Sequence, residues 1–344
     1  MIGLFLSWII IYLFCKVLKI NYDQIVGGAY DAIRVVVPTL CLLMSIGVMI
    51  GTWLQSGTIA TIIVWGLQMI NPAWLLPLTL IFCSVLSLVT GTSYGSVGSA
   101  GVAMMAIGNA MGINPGMVAG AVICGAMFGD KLSPLSDTTN LAPAVAGAKL
   151  GDHVRSMLWT TLPTYVITFV LFTILGIQQT SGSYTEANMS AYIGALNGEF
   201  QLGLVTMIPA VLIIILLLCK VNAISALGLS SFAAGAISFF VQHDSLQSII
   251  RTAYNGYSTE IEEAILKTIL NRGGMGSMLQ YVAIITFAVG MGGMLEKLGV
   301  LDHILNAILK LVKNDGTMIL ATLITGYVTS LISCSQPMAH VLTG

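Results

Sequence analysis

One stretch decides how the whole chain is interpreted: Gly129-Asp130-Lys131-Leu132-Ser133-Pro134-Leu135-Ser136-Asp137-Thr138-Thr139-Asn140-Leu141-Ala142-Pro143. It holds three charged side chains, five hydroxyl or amide side chains and two prolines within fifteen residues. Its surroundings are apolar, because no Asp, Glu, Lys or Arg occurs in residues 35–129 or 156–185. A polar, helix-breaking segment in such surroundings predicts a functional interruption at membrane depth.

The composition predicts an all-α polytopic membrane protein. Of the 344 residues, 56% are hydrophobic and 8% are charged, and the mean hydropathy is +0.93. Soluble domains carry about 25% charged residues, so this chain must place most of its helices in lipid. A large soluble enzyme is thereby excluded, and the net charge of −1 gives no sign of nucleic-acid binding.

The ends and the cysteines add two further expectations. The first apolar run, Met1–Lys19, has neither a basic start nor a small-residue cleavage site, so we interpret it as a retained span. The six cysteines sit singly in apolar runs without CxxC or CxxH spacing. They therefore predict helix packing, with no disulfide framework and no zinc site.

The order of apolar and polar segments predicts two transmembrane repeats. The first covers residues 1–178, with a re-entrant hairpin over 73–111 and a broken helix over 115–147. A polar external loop is expected over 179–200, and residues 201–344 form a second, inverted repeat that is incomplete at the C-terminus. Inverted repeats with interrupted helices near the midplane of the bilayer are typical of secondary transporters.

Sequence matches between the halves support this division. Residues Met49–Ile59 match Met291–Leu301, and Ser87–Ser93 match Ser330–Gln336, at nearly the same offset along the chain. By this logic the counterpart of the first broken helix would follow Gly344. We therefore expect the sequence to lack the C-terminal part of its transporter.

The two polar interruptions offer oxygen ligands for a small cation. Pro134 and Pro143 remove backbone donors and enforce the break. An unwound helix frees backbone groups, which are tolerated at membrane depth only where they line a cavity or bind a ligand, and such sites hold Na⁺ or H⁺ in transporters. The candidate ion- or substrate-binding residues are Asp137, Ser136, Thr138, Thr139, Asn140, Asp130, Thr90, Thr92, Ser93 and, at the mirrored hairpin tip, Ser335.

Among these, a carboxylate gives the simplest exchange mechanism, because it binds either Na⁺ or a proton and desolvation favours its neutral form. Asp137 is the first choice, inside the densest polar cluster. Asp130 is the second, with Lys131 beside it as a structural alternative. Two simpler interpretations stay open: Asp137 caps the helix after the break, and the hydroxyls of residues 90–96 bond to their own helix.

These residues carry a resemblance to a known family. Gly129–Ala142 resembles the signature of the NhaC family of Na⁺/H⁺ antiporters. Thr90–Gly95 is similar to the family's preceding Gly-Thr-Ser motif, with Tyr94 where the family usually has Trp. His153 and Arg155 fall where the family has a His-Ile-Arg-like stretch. The resemblance implies the ion-transporter superfamily architecture of inverted repeats with re-entrant hairpins and unwound helices.

The resemblance also implies a multi-pass antiporter in a bacterial or archaeal inner cell membrane. The expected function is exchange of Na⁺ for H⁺ at a shared carboxylate, and the alternative is Na⁺/H⁺-coupled exchange of small carboxylates of the malate/lactate type. Na⁺ and H⁺ are the transported ions, and no other cofactor or metal is expected. The partners are the lipid bilayer and these ions, with small carboxylates and a homodimer as further expectations. An enzyme is not expected, since no HExxH motif is present and no GxSxG nucleophile elbow is expected.

Overall fold

A computed structural model describes residues 2–133, 136–179, 186–261, 264–300, 303 and 314–333. Within these ranges every regular element is a helix. The α-helices are α1 (Ile2–Val17), α2 (Tyr22–Gln55), α3 (Thr58–Met69), α4 (Pro72–Thr90), α5 (Ser93–Ser96), α6 (Val102–Ala110), α7 (Pro115–Leu132), α8 (Asp137–Ala146), α9 (Leu150–Gln179), α10 (Glu186–Glu199), α11 (Ile208–Leu218), α12 (Ala223–Phe240), α13 (Leu246–Asn255), α14 (Ala264–Leu270), α15 (Met275–Lys297) and α16 (Asp315–Ser333). A π-helical turn, Val97–Gly101, joins α5 to α6, and a 3₁₀ turn, Val205–Met207, precedes α11.

Five of the described helices are long and apolar enough to cross a membrane: α2, α4, α9, α12 and α15. Large apolar side chains lie on their outer surfaces, such as Trp159 on α9 and Phe232 on α12, which are 80% and 79% exposed. Side chains of this size face lipid at no cost, whereas water would penalise them. Helices of this kind confirm the predicted all-α polytopic membrane protein.

The chain divides into two compact units, and the larger comprises residues 44–140 and 150–278. Its centre is α4, which packs against α7 and α9. A Cβ atom at Gly125 would collide with the Leu80 carbonyl, and one at Gly129 would collide with the Ser84 carbonyl. The contact points advance in the same direction along both helices, so α4 and α7 run parallel at backbone-to-backbone distance.

The smaller unit comprises residues 1–43, 141–149 and 279–344. Ile11, Cys15, Ile25, Ala29 and Met294 form its buried core. The indole of Trp8 extends this core, donating a hydrogen bond to the Phe287 carbonyl at 3.0 Å and contacting the Phe287 ring edge-on at 5.6 Å. The packing therefore joins α1, the first half of α2 and α15.

The backbone carries one feature that favours the proposed repeat. Gly57 follows α2 with φ 75°, and Gly299 follows α15 with φ 73°. This left-handed conformation favours glycine, and it occurs at two positions that the sequence matches pair with each other. The limits of the repeats stay a prediction, as does the external placement of residues 179–200, of which 186–199 are helical. Residues 334–337 of the mirrored tip, Ser335 included, lie outside the described residues.

Candidate ion-binding site

The break in the apolar helix lies at residues 133–136, within the segment that the sequence predicts. The prediction that Pro143 also enforces the break is wrong, because Pro143 lies inside α8, where only one backbone donor is lost and the helix continues to Ala146. Helix α7 ends at Leu132 and α8 begins at Asp137. Ser133 has an extended backbone, with φ −74° and ψ 124°, because the ring of the following Pro134 disfavours the helical conformation for the residue before it. The Ser133 amide still donates to the Gly129 carbonyl at 3.0 Å, so the helix ends with its last turn bonded.

Thr139 connects the two sides of the break. Its hydroxyl donates to the carbonyls of Lys131 at 2.9 Å and Asp130 at 3.1 Å, and the residue is only 3% exposed. The side-chain amide of Asn140 donates to the Ser136 carbonyl at 2.8 Å, within the start of α8. The donor groups of these two predicted ligands are thus bonded to the backbone of the break. Their part in ion binding stays a prediction.

The two acidic residues of the motif occupy different helix ends. Asp130 is half-buried in the last turn of α7. Asp137 is the first residue of α8, and its side chain and that of Thr138 lie outside the described ones. The C-terminal end of a helix carries partial negative charge and favours a cation, whereas the N-terminal end favours a carboxylate. The break thus presents a cation-favouring end and a carboxylate-favouring end to each other.

The predicted hairpin turns between α4 and α5. Helix α4 ends at Thr90, and Gly91 takes the left-handed conformation with φ 69°. Thr92 caps α5, since its hydroxyl oxygen accepts from the Gly95 amide at 3.2 Å. The Ser96 hydroxyl donates back to the Thr92 carbonyl at 3.0 Å. For Thr92 and Ser96 the simpler interpretation therefore holds: both hydroxyls bond to their own helix.

Thr90 and Ser93 differ from these two residues. The Thr90 hydroxyl is buried and has no hydrogen-bond partner among the described residues, which is costly for a polar group unless a ligand or water satisfies it. Ser93 is 9% exposed and lies directly after the turn. Of the three tip residues that the sequence singles out, these two keep the greater capacity to bind a ligand. The re-entry of the hairpin into the membrane stays a prediction.

The parallel packing of α4 and α7 brings the hairpin tip and the helix break to the same end of the unit. The Ser87 hydroxyl donates to the Ala126 carbonyl at 2.6 Å, and Gly129 packs against the backbone of Leu88. Each contact lies within one or two turns of the point where its helix stops, and α5 also packs against α7. The structure thus brings together two interruptions that are about forty residues apart in the sequence.

Tyr165 of α9 supports this junction, and sequence reasoning missed it. Its hydroxyl donates to the Ser84 hydroxyl oxygen at 3.0 Å, and its ring stacks on Phe128 with 3.8 Å between centroids. The residue therefore connects α9 to both α4 and α7. No local pattern marks it, because one tyrosine in an apolar span resembles any other until the packing is known.

One catalytic pattern does occur at the hairpin tip. Gly91-Thr92-Ser93-Tyr94-Gly95 has the spacing G-x-S-x-G, which in hydrolases marks a nucleophile on a sharp turn between a strand and a helix. Here the residues join two helices, so the structural context of that motif is missing. Among the described residues, no group of three His, Cys, Asp or Glu side chains is placed to hold a metal.

A helical hairpin beside a broken apolar helix, in a chain with several spans, is the arrangement of a secondary transporter. Comparison with known proteins is more specific. The sequence model of the Na⁺/H⁺ antiporter family matches residues 125–344, which include both sides of the break. The chain belongs to this family.

Individual relatives are similar over nearly the whole chain. The malate-2H⁺/Na⁺-lactate antiporter of Bacillus subtilis is 37% identical over 99% of this chain and 73% of its own length. The Na⁺/H⁺ antiporter NhaC of Alkalihalophilus pseudofirmus is 34% identical over 96% and 71%, and NhaC of Bacillus subtilis is 32% identical over 100% and 76%. No solved structure matches the chain. The resemblance drawn from the sequence motifs is confirmed by these relatives.

Proposed function

We propose that this protein is a secondary active transporter that exchanges Na⁺ for H⁺ at the break between α7 and α8. The observation that carries the proposal is the junction of two helix interruptions, the break and the hairpin tip, in a chain of the Na⁺/H⁺ antiporter family. Two relatives named Na⁺/H⁺ antiporters cover almost the whole chain. The exchange needs no bound cofactor, because the reaction is the competition of two cations for one site.

In this mechanism Asp137 binds either Na⁺ or a proton. Ser136 and Thr138 supply further oxygens beside it, and the C-terminal end of α7 adds partial negative charge. The hairpin contributes Thr90, whose buried hydroxyl lacks a partner among the described residues. Ordered oxygens that replace the water shell of Na⁺ lower the cost of taking the ion out of water.

Vesicles that contain the full chain test this proposal. An outward Na⁺ gradient should drive H⁺ into the vesicles and acidify the lumen, and Asp137→Asn should abolish this acidification. Asp130→Asn measures the contribution of the second candidate carboxylate. Asp152→Asn is the matched control, because Asp152 is exposed in the first turn of α9 and is not one of the residues proposed to bind the ions. Wild-type exchange by the Asp137 variant would overturn the role given to this residue.

A second candidate function is Na⁺- and H⁺-coupled exchange of small carboxylates. The observation in its favour is the 37% identity to the malate-2H⁺/Na⁺-lactate antiporter. The same vesicles distinguish the two functions when malate is loaded inside and lactate is supplied outside. Proton movement that strictly requires both anions would establish carboxylate exchange, whereas undiminished movement without them would leave simple Na⁺/H⁺ exchange.

The proposal includes a location and an arrangement. We place the protein in the inner membrane of a bacterium or archaeon, as a homodimer of chains that each carry inverted repeats. Fractionation of the host membranes tests the location, and light scattering of the detergent-solubilised protein tests the dimer. Labelling of single introduced cysteines tests the topology, because inverted repeats require residues 91 and 335 to be reached from opposite sides of the membrane. Labelling of both from one side would contradict the inverted arrangement.

A further inference from the structure

A cavity of about 300 Å³ lies in the larger unit, separate from the break. Ile50 and Leu54 of α2 form one wall, and the returning arm of the hairpin forms another from Val97 to Asn109. Ile123 of α7 also lines the cavity and is 53% exposed, so the cavity reaches the surface. None of the residues proposed for ion binding lines it.

The shape and chemistry of the lining restrict what can bind. Nearly all of the lining side chains are aliphatic, and the two polar exceptions are Asn109 and Arg272. The α-helical part of this arm, from Val102 to Asn109, advances roughly 10 Å at the helical rise of 1.5 Å per residue. A volume of 300 Å³ holds about ten groups of the size of a water molecule. A slender aliphatic chain fits this space better than a compact polar molecule.

Among the described residues that line the cavity, Arg272 is the one that carries a charge. Its Nε atom donates to the Thr268 carbonyl at 3.0 Å, and its terminal nitrogens make no hydrogen bond with the described residues. The backbone that carries it is fixed, because the Arg272 carbonyl accepts from the Tyr257 amide at 3.1 Å and Gly273 packs directly on Gly51. An exposed guanidinium held at the rim of an apolar cavity suits an anionic head group.

We propose that this cavity binds a single-chain carboxylate with an aliphatic tail, a medium-chain fatty acid, whose tail lies against the hairpin arm and whose head group pairs with Arg272. Malate fits this description poorly, since one carboxylate could pair with Arg272 while the second carboxylate would be buried among mostly aliphatic side chains without a cationic partner among the described lining residues. The proposed site is therefore distinct from any that carries a small hydroxy-carboxylate. It does not depend on Na⁺/H⁺ exchange, because its test measures binding alone.

The test uses the full chain in nanodiscs of neutral phosphatidylcholine. The probe is octanoate with a diazirine at the end of its tail, and mass spectrometry locates the labelled residues. Labelling should saturate, should fall on residues 97–109 or 119–123, and should be displaced by plain octanoate. Between hexanoate and octanoate, each added methylene should strengthen the competition about fourfold.

Two pairs of variants separate the head-group contact from the tail contact. Arg272→Gln should lower the affinity for octanoate about three- to fivefold, as for the loss of an exposed ion pair, and should leave the affinity for octanol unchanged. Arg272→Lys should retain octanoate binding. Ala119→Leu, which fills part of the cavity, should lower the affinity for both compounds about tenfold. Arg251→Gln and Ala103→Leu are the matched controls, because neither residue lines the cavity. They should leave the affinities for octanoate and octanol unchanged.

Several results would overturn the proposal. Labelling that never saturates or falls outside the cavity would show simple partition into lipid. Unchanged octanoate binding in Arg272→Gln or in Ala119→Leu would remove the assigned head-group or tail contact. Displacement of the probe by phosphatidylglycerol at concentrations where octanoate has no effect would assign the cavity to a phospholipid instead.

Discussion

The hydroxyl of Thr139 donates a hydrogen bond to the carbonyl of Lys131, joining the first turn of α8 to the last turn of α7 across the break. The last carbonyls of a helix have no partner within the helix, and burial away from water makes such a group costly. The Thr139 hydroxyl donates to the carbonyls of both Lys131 and Asp130, and the Asp130 carbonyl accepts from the Ser133 amide as well, at 3.1 Å. The break is thus held in a defined shape by a side chain that lies within the motif itself.

Thr139→Val should destabilise the protein, because the isosteric side chain removes the donor that two part-buried carbonyls share. Of the two, only the Asp130 carbonyl keeps a second donor among the described residues, the Ser133 amide. The expected loss is about 0.5–1.5 kcal/mol of unfolding free energy, measured by denaturant titration in detergent micelles. Thr139→Ser retains the donor and should recover most of the loss. Thr164→Val is the control, since the exposed Thr164 hydroxyl only bonds back within its own helix and should matter by less than about 0.5 kcal/mol. Equal losses in the valine variants at positions 139 and 164 would contradict the assigned role.

Gly129→Ala should disrupt the contact between α4 and α7. An added methyl group at this position collides with the Ser84 carbonyl and the Leu88 amide, and backbone cannot move aside as a flexible side chain would. The expected cost is about 1–3 kcal/mol, seen as a lower midpoint of thermal unfolding. Gly120→Ala on the same helix meets only the Phe172 ring at 3.6 Å, an ordinary contact, so it should be neutral or stabilising by up to about 1 kcal/mol.

Tyr165→Phe should remove one hydrogen bond while the stacking on Phe128 remains. The expected loss of unfolding free energy is about 0.5–1.5 kcal/mol. Tyr165→Leu should lower the unfolding free energy by a similar further amount, because the stacked ring pair is also removed. Chemical unfolding of the two variants in the same micelles measures both steps. Tyr281→Phe, at a residue that is 57% exposed, should change nothing measurable. A leucine variant no worse than the phenylalanine variant would show that the stacking contributes little.

Stability at alkaline pH should depend on Tyr257, which lies between α13 and α14, outside the helices long enough to span. Burial raises the pKa of Tyr257, and the nearby Glu199 carboxylate raises it further. Its hydroxyl lies 3.4 Å from a Glu199 oxygen. Because the folded pKa exceeds the unfolded value of about 10, the stabilisation is complete below pH 10. It is lost as the pH rises towards the folded pKa.

Replacement of Tyr257 tests this sign. Tyr257→Phe should flatten the fall of unfolding free energy between about pH 10 and pH 12, although the variant lacks one hydrogen bond at neutral pH. Tyr254→Phe is the control, since Tyr254 is 49% exposed and should leave the alkaline slope unchanged. If the unfolding free energy of the Tyr257 variant fell more steeply with pH than that of the wild type, the raised pKa of Tyr257 would be contradicted.

The sequence predicted the fold class and both interruptions because each has a local cause. Pro134 disfavours a helical Ser133 whatever surrounds it, and Gly91 accepts a left-handed backbone that other residues resist. The functions of individual hydroxyls were harder to predict, since Thr92 and Thr139 can each serve as a cap or as a ligand. That choice depends on which backbone group lies within reach, which sequence spacing does not specify.

Long-range contacts explain what the sequence did not reveal. Tyr165 contacts Ser84 across about eighty residues, and Arg272 meets the hairpin arm from a segment more than 160 residues later in the chain. Neither residue belongs to a sequence motif. The contacts that define their roles form only when distant helices pack together. The backbone hydrogen bond between Gly47 and Gly274, at 2.7 Å, has the same origin.

The close packing of α4 on α7 has a consequence for how a transport cycle can proceed. Glycines at 125 and 129 let two backbones interlock, and such a contact resists sliding by less than a full helical turn. Helix α4, the first arm of the hairpin, and α7, the first half of the broken helix, are therefore expected to move together as one rigid body. For the exchange that we propose, the half of each interruption that is left to move is α8 or the arm that runs through the π-helical turn, so we expect any gate of the proposed ion site to open there.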